Sequence, residues 1–248
     1  MVRVTEAQRE QWEEEGYLVV EDAYEGADLA RLQEVFDRCA EAAKPAWLEE
    51  VEAGTRPGAF FDIPRPLEQD DAFVDLADHP SYFGYLVDLL GEDLIFKGAQ
   101  VRTLPLSPVS YIGWHPDMPH TRPQHLKMQI YVNDVGEDGG AFAFVPGSHK
   151  PDAGPYPMVQ RMERMSGHRV FPGRAGTAIL FNTYGWHTSM INRTRVPRKS
   201  IILFYGVRHE DTYDSERHAA ISDRLTTPER RKLFCIAGPG FVGQPSDR

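Results

Sequence analysis

The sequence has little cysteine and no dense run of one charge sign, and each scarcity excludes something. Its 248 residues hold two cysteines, Cys39 and Cys235. Two such distant thiols make neither a disulfide framework nor a cysteine-ligated metal site, and they suit a reducing compartment. No apolar run approaches the length needed to span a bilayer. The first residues, MVRVTEAQREQWEEEG, are charged and lack the apolar core of a secretory leader. A cytoplasmic location with no membrane partner is therefore expected. Lys and Arg are scattered and the net charge is −10, so a nucleic-acid partner is not expected. An acidic chain can still carry a local basic pocket, which leaves an anionic small molecule open. Repeats and low-complexity segments are also absent, and the length fits one large domain.

What is present divides into a helical part and a strand-rich part. Thr5 with Gln8 forms a capping box for a short acidic helix ending near Glu15, and residues 16–20 read as a strand. Leu29, Leu32, Val35, Phe36 and Cys39 recur at helical spacing, which predicts an amphipathic helix over 27–43. Residues 45–75 read as irregular, rich in Gly and Pro, and 81–90 as a short apolar helix. From Leu94 the pattern becomes short strands at 94–103, 110–115, 125–133, 141–145, 169–172, 177–181 and 199–207, separated by turn signals. Residues 227–235 read as a helix. The expected architecture is mainly β with flanking helices: a jelly roll, or cupin-like double-stranded β-helix. Its parts would be a helical region 1–93, a barrel core 94–207 and an extension 208–248.

Chemistry concentrates in the order His115-Pro116-Asp117, then His187, then Arg198. Among 9 His and 37 acidic residues, about one His-x-acid pair arises by chance, so the tripeptide alone decides nothing. A second pair, His209 and Asp211, lies in a polar run with no strand after it to bring a third ligand, and reads as a surface pair. The first pair has His187 beyond the apolar run 176–181 and Arg198 opening another strand. Residues two apart on a strand share a face, so His115 and Asp117 can aim at one ion, with His187 arriving from a facing strand. Two imidazoles and one carboxylate hold one face of Fe(II) and leave the other open for a chelating cosubstrate and O₂. Arg198 can then fork the far carboxylate of a dicarboxylic acid. Ser200 has the same strand parity as Arg198. Gln100 and Arg102 share a face of their strand and are candidates for cosubstrate or substrate. Trp114, Met118, Arg122 and Asn182 lie near the metal motifs and are substrate candidates. Phe60, in the Gly/Pro-rich segment 54–67, is a candidate for the substrate entrance.

These residues, with Glu15-Gly16-Tyr17-Leu18-Val19-Val20, Tyr131-Val132-Asn133-Asp134 and Gly140-Ala141-Phe142-Ala143-Phe144-Val145-Pro146-Gly147-Ser148-His149, resemble the phytanoyl-CoA dioxygenase family. The resemblance runs roughly from Glu13 to Tyr205. It implies a double-stranded β-helix with iron held by His115, Asp117 and His187, and 2-oxoglutarate held by Arg198. Two places depart from the family pattern. Pro116 stands where Gln or Ser is usual, and residues 118–122 do not match the signature of ectoine hydroxylases. Related halogenases replace the metal carboxylate by a small residue; Asp117 is present, which implies hydroxylation of a small-molecule substrate. Desaturation, ring closure or epimerisation by the same oxidant stays open at this point, as does a jelly roll that only binds a ligand or metal.

Overall fold

The computed structural model of the chain describes residues 2–106, 113–157, 164–209, 214 and 216–236. Its elements in order are α1 (Glu6–Glu15), β1 (Tyr17–Val20), α2 (Gly26–Glu52), β2 (Phe61–Asp62), α3 (Pro66–Gln69), α4 (Asp71–Asp75), α5 (Phe83–Leu90), β3 (Leu94–Leu104), β4 (His125–Tyr131), β5 (Phe142–Phe144), β6 (Arg169–Phe171), β7 (Ala178–Asn182), β8 (His187–Ser189), β9 (Arg198–Val207) and α6 (Pro228–Leu233). Two antiparallel sheets face one another. The larger has the order β1-β7-β4-β9-β3-β2 and the smaller β6-β5-β8. This is the expected double-stranded β-helix. None of the described helices is long and apolar enough to cross a membrane.

Strand alternation decides where the site lies. Leu126, Met128 and Ile130 of β4, Ile201, Leu203 and Tyr205 of β9, and Leu180 of β7 form one core with Leu32, Val35 and Phe36 of α2 and Leu86 of α5. The helices therefore cover the outer face of the large sheet. The opposite residues of the same strands point between the sheets. Deep in that space Tyr131, Ile179 and Phe181 pack with Phe142 and Phe144 of the small sheet. Nearer one end the inward residues turn polar: Gln100, Arg102, Lys127 and Gln129 line a cavity there.

Several local expectations change. The helix predicted to end at 43 continues to Glu52 with Pro45 inside it. Pro45 is exposed, so water satisfies the carbonyl it leaves unpaired. Trp47 on the buried side packs on Phe61 with ring centroids 5.3 Å apart, which holds the last two turns. Residues 45–75 are not irregular throughout but contain β2, α3 and α4. The short strand β2 was not expected either, whereas β8 is the facing strand on which His187 was expected to arrive. Residues 110–112 of the predicted strand 110–115 lie outside the described residues. Its last member, His115, makes one isolated bridge to His187 rather than ending a strand. Pro116 accounts for this, since a proline offers no N–H to continue a ladder.

Candidate metal centre

His115 and Asp117 are thus carried by a loop. The Asp117 and Met118 amides both donate to the Thr183 carbonyl, at 2.9 and 3.2 Å, and His115 and His187 exchange backbone hydrogen bonds of 3.2 and 3.0 Å. These bonds tie the loop to the end of β7 and the start of β8. One ligand atom from each of His115, Asp117 and His187 then lies within 4.8 Å of the other two. His187 Nε2 is 3.4 Å from Asp117 Oδ2, and His115 Nε2 is 3.8 Å from Asp117 Oδ1.

The imidazoles are oriented by the backbone. Nδ1 of His115 lies 2.9 Å from the Gly113 carbonyl and Nδ1 of His187 lies 3.0 Å from that of Gly185. A carbonyl only accepts, so each Nδ1 carries the proton and each Nε2 presents a lone pair to the same point. Gly185 has a second duty: a Cβ there would meet Phe144 at 2.1 Å. Burial lowers His187 to about 4, and the nearby His115 adds to this against the pull of Asp117. His187 is therefore neutral near pH 7, as a ligand must be.

Asp117 has one oxygen occupied and one bare. Lys127 on β4 donates to Oδ1 at 2.6 Å, while Oδ2 is buried with no hydrogen-bond partner among the described residues. Burial pushes this carboxyl up, but the neighbouring His187 and Lys127 outweigh it and hold it below the ordinary range. A buried, ionised, unpaired oxygen between two imidazole lone pairs is the donor set of a divalent cation. The residues present fit Fe(II).

The cavity over this triad has a volume of about 250 Å³ and is lined by Phe60, Gln100, Arg102, Gln129, Ser189 and Ile202 among others. Arg198 is fully buried, 1% exposed. Its guanidinium donates to the Gly140 carbonyl and to Ser189 Oγ at 3.0 Å, so it stands one hydrogen bond from a cavity-lining residue. Burial lowers it to about 10. Arg198 Nε, Ser200 Oγ and Gln129 Nε2 are all buried without hydrogen-bond partners among the described residues. A buried guanidinium with no carboxylate paired to it among the described residues, near two further orphaned polar groups, fits a dicarboxylic acid such as 2-oxoglutarate.

The remaining candidates divide. Gln100 and Arg102 line the cavity. Arg102 forks Asp62 with two bonds of 2.7 Å, and its guanidinium lies 4.1 Å from the centre of the Phe60 ring. Phe60 therefore covers the cavity, whereas Phe61 is buried in the core. Met118 lines a second cavity of about 450 Å³, which shares Asp117 and Lys127 with the first. Trp114, Arg122 and Asn182 line neither. Trp114 packs edge-on against His168, Arg122 is exposed with its carbonyl bound by the Tyr184 hydroxyl, and Asn182 accepts from the Tyr184 amide. His209 is exposed, and Asp211 lies outside the described residues. Sequence reasoning missed Lys127, Gln129 and Ser189. The polar face of His125-Lys127-Gln129 on an otherwise apolar strand was the available signal.

Fold and site are those of the non-haem iron, 2-oxoglutarate-dependent oxygenases. Residues 12–200 match the phytanoyl-CoA dioxygenase family, and the chain belongs to that family. It is 25% identical over 166 residues to a probable alpha-ketoglutarate-dependent hypophosphite dioxygenase of Stutzerimonas stutzeri, a match covering 60% of this chain and 54% of that protein. It thus spans about half the length of that relative. It is 23% identical over 269 residues to a methylphosphonate hydroxylase of Gimesia maris, covering 99% of this chain and 98% of the other. Among solved structures, HygX from Streptomyces hygroscopicus with nickel and 2-oxoglutarate bound has a TM-score of 0.68 at 14% identity, over 86% of this chain and 91% of HygX.

Proposed function

We propose that the protein is an Fe(II)- and 2-oxoglutarate-dependent hydroxylase of a small-molecule metabolite. The observation that carries this is the bare Oδ2 of Asp117 set between two backbone-oriented imidazole lone pairs. His115, Asp117 and His187 would hold the iron. Arg198, with Ser200 and Gln129, would take the cosubstrate. Bound iron supplies O₂ activation, and the overall reaction converts 2-oxoglutarate, O₂ and a C–H bond into succinate, CO₂ and an alcohol.

The protein's own part is electrostatic and steric. Lys127 neutralises Asp117 and fixes the carboxylate so that one oxygen stays free. Phe60 and Phe181 wall the cavity and exclude water from the reacting bond. Asp117 occupies the position that would have to be vacant for another anion to reach the metal, which favours hydroxylation over halogen transfer. The full-length match to a hydroxylase supports the same reading.

The test is succinate formation under Fe(II), O₂ and 2-oxoglutarate with a panel of candidate substrates, read with the mass shift of the product. Asp117→Ala and His187→Ala should lose most metal affinity and essentially all turnover, and His209→Ala should lose neither. Triad variants that bind iron and convert 2-oxoglutarate like the parent would refute the assignment.

A further inference from the structure

The 450 Å³ cavity on the far side of the Lys127–Asp117 pair is large enough for a whole metabolite, and its charge is one-sided. Lys97, His125, Lys127 and Arg217 line it, and Asp117, already matched by Lys127, is its sole carboxylate among the described residues. This occurs in a chain of net charge −10.

Lys97 is aimed there by a defect in the sheet. In the β3–β9 ladder Phe96 pairs with Tyr205 and Gly98 with Phe204, so Lys97 is the extra residue of a bulge. Bulges re-aim side chains and gather at functional sites. Gly206 makes room beside it, since a Cβ there would come within 2.6 Å of His125 and 3.2 Å of the Lys97 stem. The Lys97 ammonium donates to His125 Nε2 at 3.0 Å, and no carboxylate among the described residues acts on its charge. Arg217 rests on the Lys97 carbonyl at 3.2 Å, and its ion pair with Asp214, the one it makes among the described residues, is long at 3.5 Å and half-exposed. Burial, and then Arg217, depress the Lys97 ammonium below its ordinary value, as expected of a partly buried cation lacking a counter-charge. Among the described residues Lys97 has no carboxylate partner and Arg217 has the exposed one of Asp214, and a bound anion would match them. Met118 and Phe204 supply the apolar wall between them and the triad.

We propose that the substrate carries an oxyanion, phosphonate or carboxylate in kind, seated on Lys97 and Arg217, with its carbon chain running along Met118 and Phe204 towards Asp117. This rests on the hydroxylase reading and names the substrate class of that site.

The experiment is calorimetric titration of the full chain, loaded anaerobically with Fe(II) and 2-oxoglutarate, with three probes: pentylphosphonate, hexanoate and neutral hexanamide. The anions should bind, the amide about tenfold more weakly or worse, and added salt should weaken the anions alone. Lys97→Met and Arg217→Met should each weaken anion binding about tenfold or more while leaving 2-oxoglutarate binding unchanged. The relative affinities of the two anions identify which oxyanion is preferred. Equal binding of amide and anions, anion binding unaffected in both variants, or no anion binding while 2-oxoglutarate binds normally each overturns the proposal. Loss of metal-dependent 2-oxoglutarate binding in the parent would refute the hydroxylase reading instead. The comparison of anion with amide is made on the parent and does not depend on the folding of any variant.

Discussion

Lys127→Met separates the stability of the metal-free protein from that of the metal-loaded one. Lys127 and Asp117 are 17% and 15% exposed and 2.6 Å apart, and the ammonium also lies 4.5 Å from the centre of the Phe204 ring. Methionine keeps the packing on Phe204 and removes the charge. Without metal, the largely buried Asp117 carboxylate then has no ammonium beside it. Breaking a buried pair costs about 3–5 kcal/mol; the residual exposure argues for the lower end, about 3 kcal/mol. In a chain of this size that lowers the melting temperature by about 6–12 °C. With Zn(II) or anaerobic Fe(II) bound, the carboxylate regains a counter-charge and the deficit should shrink to about 1 kcal/mol. Metal should therefore raise the melting temperature of Lys127→Met by more than it raises that of the parent. The assay is a pair of thermal melts, with chelator and with saturating metal. A variant as stable as the parent in chelator, or a deficit identical in both conditions, would refute the reasoning.

Arg198→Ala should weaken 2-oxoglutarate binding by about 2–4 kcal/mol, and Arg198→Lys should recover part of it, because charge returns without the fork; equilibrium dialysis of labelled cosubstrate measures both. Phe60→Ala should raise KM for the substrate more than it lowers the melting temperature, since its ring lies over Arg102 rather than in the core; hydrogen exchange across residues 54–67 should slow when cosubstrate and substrate bind. His125 is lowered from 6.5 to about 4, by burial and then by Lys97 and Lys127. The unfolded chain therefore binds the proton first, and stability present above about pH 6.5 falls as the pH drops towards 4. His125→Gln should flatten that part of the stability profile, read by urea unfolding at stepped pH.

The triad was legible because its residue types are rare and its order is restrictive: two histidines and a carboxylate followed by an arginine at the start of a strand. The β-helix was legible from the order of helices first and then many short strands separated by turn signals. Lys127 was not, because a strand reading His125-Leu126-Lys127-Met128-Gln129-Ile130 looks like one with its polar face in water. The same pattern arises when the polar face looks into a site and the apolar face is covered by helices, and single-strand periodicity does not tell these apart. The helices α3 and α4 were hidden by length, at four and five residues, below the window in which a 3.6-residue period can show. The loop bearing His115 and Asp117 was misread as a strand because the same-face argument is satisfied by a strand; Pro116 was the contrary signal.

The strand order has a consequence for how such a protein can change. Lys127 and Gln129 lie on β4, and Arg198 and Ser200 on β9, which are neighbours in the interior of the large sheet; Phe60 and Asp62 belong to β2 and its approach, at the sheet margin. A replacement in β4 or β9 disturbs two flanking ladders at once, whereas β2 touches one neighbour through two paired residues. The residues proposed to take the cosubstrate, with Lys127, are thereby insulated from mutation, and the margin carrying Phe60 is free to drift. Substitutions in residues 54–65 are therefore the ones this scaffold absorbs at least cost to the strands that bear Lys127, Gln129, Arg198 and Ser200.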